Sequence, residues 1–284
     1  MEYKLVVGTD ILQIFILIFA VTVSILRLKK YRNSVLLVFF IYGLVCWLLS
    51  DIYWLALDIM LPNKIISFGV NEIAEGGLFL LFASITRMTS KMIIKKRAPV
   101  YTLFGVCYIL LNVALWIIWN GDILKDLLCG FALGIFICFA LNLLYLTDAL
   151  KKSQLIFLFA GSFGAVFLQY LMLVIPKEYA KILDLISIIF MFANFFLIGV
   201  LGLRAALTAK RERTKSESLK AFSLSFSLHV IVSCNLYMTA GVAYFMNFVL
   251  TTLIIPLLLS SVILLSSFEK DTIPAKNTVK EGAI

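Results

Sequence analysis

The chain has 284 residues, 62% of them hydrophobic and only 14% charged, with a mean hydropathy of +1.04. A soluble domain carries roughly a quarter charged residues, so this composition argues against one and predicts a multi-pass helical membrane protein. The net charge of +9 is spread along connectors between apolar runs, where it suits anionic lipid headgroups, and no nucleic-acid partner is expected.

The expected fold class is all-α, a polytopic transmembrane helix bundle of about nine spans forming one domain over residues 1–268. Residues 1–10 lack a basic n-region, so the first span is expected to be retained. That span covers about 11–25 and closes on Arg27-Leu28-Lys29-Lys30-Tyr31-Arg32. The second covers 35–60, and Leu61-Pro62-Asn63-Lys64 turns the chain into the third, 68–85. A basic connector over 87–97 leads to the fourth span, 100–119, and Asn120-Gly121-Asp122 to the fifth, 127–146. The sixth, 155–175, is closed by Pro176-Lys177-Glu178, and the seventh, 182–207, runs into a polar linker over 210–220. The last apolar block is long enough for two helices, 221–240 and 244–267, with a tight turn near 239–243. A polar tail, 269–284, is expected to be disordered.

Orientation follows from the bases. The connectors after spans one, three, five and seven, together with Arg204 near the end of span seven, hold 17 of the 25 Lys and Arg residues. Positive-inside counting therefore puts the N-terminus outside and the C-terminus in the cytoplasm of a cell-membrane protein. The five cysteines, Cys46, Cys107, Cys129, Cys138 and Cys234, all lie in apolar runs without CxxC spacing and read as small buried hydrophobes. Gly130 and Gly134, and Gly161 and Gly164, read as close helix packing within the bundle. Pro256 predicts a kink in the last span.

The chemistry concentrates in the hairpin of spans two and three. Asp51 and Asp58 are seven residues apart and fall within about 20° of one helix face, with Trp47 and Trp54 on the same stripe. On the returning helix Glu72 and Glu75 share a face, and Asn71 stands beside them. Counted from the turn at about 1.5 Å per residue, Asp51 and Glu75 come to a similar depth. A carboxylate at a membrane-helix centre costs about 2.5–3.5 kcal/mol, and no Lys or Arg lies beside these in the apolar runs. Shared protons, water or an external cation must therefore compensate them. The candidate ligand-binding residues are Asp51, Glu72, Glu75, Asp58, Trp54 and Asn71, as a pocket open to the outside. Asp10, Asp122, Asp126 and Asp184 read as outer helix ends. His229, the single histidine, reads as a core hydrogen-bonding residue.

One histidine excludes the multi-histidine zinc hydrolases, and neither HExxH, GxSxG nor a P-loop occurs. No catalytic residue or cofactor is expected, and whether a metal binds is left open. The first functional reading is a receptor-like sensor whose pocket binds a cation or cationic small solute, aromatic rings and carboxylates both attracting positive charge. Its partners are membrane lipids, that ligand, and a cytoplasmic protein at the linker 210–220. The alternatives are a proton- or cation-coupled transporter, and a metal-dependent membrane enzyme acting on lipid.

Overall fold

The computed structural model describes residues 2–30, 34–61, 70–91, 93, 99–119, 123–208, 215–239 and 254–265. Among the described residues every regular element is an α-helix. In chain order these are α1 (Glu2–Lys30), α2 (Val35–Met60), α3 (Val70–Lys91), α4 (Pro99–Trp119), α5 (Ile123–Leu146), α6 (Lys152–Val174), α7 (Lys177–Thr208), α8 (Lys215–Thr239) and α9 (Ile254–Leu265). Among the described residues two stretches are long and apolar enough to cross a membrane, Val7–Lys30 within α1 and the whole of α2.

Local chemistry sets the helix ends. Ser34 is extended, and its Oγ accepts the Leu37 N–H at 2.9 Å, satisfying one of the free donors at the start of α2. Pro99 opens α4, where its missing N–H costs nothing. Beyond α5 the chain enters the left-handed region at Asp148, φ 49°, a conformation that a short polar side chain tolerates. The Ala149 N–H then reaches back to the Leu144 carbonyl at 3.3 Å and closes the helix. At the start of α6 the Lys151 N–H donates to Gln154 Oε1 at 3.1 Å. Pro176 divides α6 from α7 because it holds Ile175 extended.

Several helices outrun their apolar cores. α1 continues past 11–25 at both ends, and α3 continues to Lys91, so Arg87 and Lys91 are helical, not part of a loose connector. The same holds at α8, which begins at Lys215 inside the expected linker, with Glu217 suitably placed in its first turn. Polar side chains end an apolar run without ending a helix, since the backbone hydrogen bonds continue where no Pro intervenes. The turn from Pro62, the rest of the linker (209–214), the turn beyond Thr239 and the tail 269–284 lie outside the described residues.

α2 packs between α1 and α3. α3 packs in turn on α5, and α5 on α4 and α8, while α7 joins α6 to α8. α8 is the hub: every residue from Ala221 to Cys234 is buried. Its Phe226 lies 5.9 Å from Phe40 of α2 and 5.4 Å from Phe82 of α3, ring centre to ring centre. On another side Ser225 donates to the Leu257 carbonyl of α9 at 2.9 Å and meets the hydroxyls of Ser260 and Ser261.

The described residues pair an apolar core that also buries several polar side chains with an exterior carrying many large apolar ones. The central helix carries Ser223, Ser225, Ser227, His229 and Ser233, all buried. Large apolar side chains stand outside, among them Phe15 (66% exposed), Leu49 (57%) and Phe196 (69%). Close approach explains two glycines. A Cβ on Gly134 would overlap Ile109 of α4, and one on Gly161 would overlap Asn194 of α7. The described cysteines, Cys46, Cys107, Cys138 and Cys234, are free.

Candidate carboxylate site

α1, α2 and α3 together build the site, at the end of the bundle away from the α1–α2 turn. Ser50, Asp51, Trp54 and Asp58 come from α2, and Glu75 from α3. Glu75 is the best-anchored member. Its Oε1 accepts the Ser50 hydroxyl at 2.9 Å and the Trp54 indole N–H at 3.2 Å. Ser50 is buried, so this hydrogen bond ties α3 to α2, and an amide oxygen at the same place could accept it too.

Asp51 lies beside Glu75, with Asp10 of α1 the next charge to act on it, and the side chains of Gln13 and Trp47 donate toward it. Its Oδ2 is buried without a hydrogen-bond partner. Asp10 meets Asp58 carboxyl to carboxyl, and its own Oδ2 is likewise buried and unpartnered. The four acids thus form two adjoining pairs, Asp51 with Glu75 and Asp58 with Asp10.

Beneath Asp51, Trp47 joins the site to the core. Its indole stacks on the His229 imidazole, ring centres 5.7 Å apart and planes 23° apart. Phe82 and Phe226 close on the same imidazole edge to face, at 5.6 and 6.2 Å. His229 is fully buried, and neither ring nitrogen has a hydrogen-bond partner. The core hydrogen bond expected of this histidine is therefore absent from both ring nitrogens, because aromatic rings occupy the three directions named. Its backbone carbonyl also accepts the Ser233 hydroxyl at 2.9 Å.

The backbone of Asn71 and Glu72 belongs to α3, while their side chains lie outside the described residues. α3 runs unbroken through Gly76 and Gly77, so their carbonyls stay within the helix and do not turn toward the acids. Among the described residues no group of three His, Cys, Asp or Glu side chains is placed to hold a metal ion.

Sequence reasoning missed the contribution of α1, treating Asp10 as a helix-end residue and passing over Gln13. A signal was there. Asp10 and Asp58 stand 24 residues before and after Ser34, which heads α2 next to the α1–α2 turn. Two antiparallel helices joined by a short turn bring such positions to one level. Comparison with known protein families, with characterised proteins and with solved structures gives no match. Among the described residues, fold and site define a helical protein with two candidate spans and an acid cluster at one end of its first three helices.

Proposed function

We propose that the chain is a multi-pass membrane protein of about nine spans, N-terminus outside, whose first three helices form an outward-facing site for a cation or cationic small solute. Occupancy of that site would be sensed at the cytoplasmic end, where residues 210–220 offer the contact for a partner protein. The observation that carries this reading is the gathering of Asp10, Asp51, Asp58 and Glu75, two of them with a buried and unpartnered oxygen. Buried acids without such compensation cost several kcal/mol, and a bound cation removes that cost. Trp54, already turned toward Glu75, supplies an aromatic wall. The large apolar side chains on the exterior support the membrane reading.

A proton-coupled transporter is the second reading, and one contact favours it. Asp10 of α1 and Asp58 of α2 meet carboxyl to carboxyl, and paired acids within apolar helices often mark proton pathways. The enzyme reading gains no such support from the described residues.

Thermal melts of the purified protein against a panel of metal cations and amines test the proposal. A cation that binds the folded state raises the midpoint by mass action, by about 2.7 kcal/mol of stability at a hundredfold excess over its Kd. Asp51→Asn and Glu75→Gln should abolish that response and leave the unliganded protein no less stable. Amide variants that melt early yet keep the cation response would make the acids structural.

A further inference from the structure

A second feature lies at the opposite end of α3. α2 and α5 both pack on α3 but not on each other, and the gap between them is a cleft of about 390 Å³ open to the exterior. Leu80, Ser84 and Met88 of α3 form its floor, Phe39 of α2 one wall, and Ile135 and Phe139 of α5 the other. The Ser84 hydroxyl is spent on the Leu80 carbonyl at 2.8 Å, so the lining presents little but hydrocarbon.

Arg87 lines the end of this cleft, and Lys91 follows one turn on, on the same helix face. Both are exposed, and neither has a carboxylate partner among the described residues. The last turn of α1, with Arg27, Lys29 and Lys30, ends at the same end of the bundle. An apolar slot about two turns long, capped by Arg87 and Lys91, matches one kind of occupant. It needs an alkyl chain and an anionic head joined end to end.

We propose that this cleft between α2, α3 and α5 is a binding site for one acyl chain of an anionic phospholipid, its phosphate held by Arg87 and Lys91. The site rests on the reading of the chain as membrane-spanning, and it is independent of the cation site. From Leu80 to Arg87 the helix rises about 10 Å, roughly a third of a bilayer's hydrocarbon thickness. The chain therefore lies along α3 with the headgroup at the basic, cytoplasmic interface. A lipid seated there would bridge α2 and α5 across a gap that no described side chain fills.

The test uses the full-length protein in neutral detergent, with phosphatidylglycerol and phosphatidylcholine of identical acyl chains. Bound lipid is counted by native mass spectrometry, and stability is followed by melting. Phosphatidylglycerol should be retained and raise the midpoint, whereas phosphatidylcholine should do neither. Arg87→Gln and Lys91→Gln should each weaken phosphatidylglycerol binding roughly fivefold. Ser84→Trp, which fills the slot, should abolish it while the cation response of Asp51 and Glu75 persists. Equal retention of the two lipids, undiminished binding to Ser84→Trp, or equal protection by glycerol phosphate without acyl chains would overturn the site. A protein that stays monodisperse without detergent would instead overturn the membrane reading, before any lipid is added.

Discussion

Glu75 and His229 are both polar groups set in an apolar bundle, and they solve the problem in opposite ways. Glu75 takes two donors from the helix opposite, which is how a carboxylate is normally kept in a poor solvent. His229 takes none and is held by three aromatic rings. An unpartnered buried polar group costs about 1–3 kcal/mol, so its replacement by an apolar ring of related shape should be free of penalty. His229→Phe is expected to melt at or above the wild-type temperature, with the stacking on Trp47 retained. A lowered midpoint would mean that the imidazole holds a buried water or ligand.

At the scale of the element, glycines set the approach of α4 to α5, at Gly105 and Gly134, and of α6 to α7, at Gly161 and Gly164. The approach of α4 to Gly134 leaves no room for a branched side chain, because Ile109 already fills the space that a Cβ would need. Gly134→Val should destabilise the protein by about 1–3 kcal/mol through overpacking, and Ile109→Ala in the same chain should restore part of the loss. A double variant no more stable than the single would show that the two positions do not share a contact. Gly76 differs in kind: a Cβ there would meet nothing within 4 Å, so Gly76→Ala should be tolerated. The contrast shows that glycine frequency alone does not identify a packing seam.

For the whole molecule the decisive measurement is topology. Reporter fusions after Lys152 and Lys215 should report cytoplasm, and fusions after Asn120 and Lys177 the exterior. Opposite signals at any two of these would reverse the orientation, and with it the sidedness of the acid site and the basic cleft. A C-terminal fusion reporting exterior would mean that 221–267 crosses only once. The all-helical character was legible in the long apolar runs, because apolar segments of this length have few ways to satisfy their backbone other than as helices. The helix ends were less legible, as α1, α3 and α8 show, since hydropathy marks where side chains change and not where backbone hydrogen bonding stops.

The amino-acid sequence by itself determined the helical class, the asymmetric placement of basic residues, and the shared stripe of Asp51 and Asp58. Each of these follows from composition or from the 3.6-residue period within one helix. It also paired α2 with α3, because a short connector leaves consecutive helices few other choices. Only the tertiary structure decided which faces meet. It turned Asp10 and Gln13 of α1 toward Asp51, set Trp47 between that acid and His229, and left α2 and α5 apart above α3. Those outcomes depend on the rotation of each helix about its own axis. The many similar apolar side chains around each helix leave that rotation undetermined in the sequence, and packing against α8 and the other neighbours is what selects it.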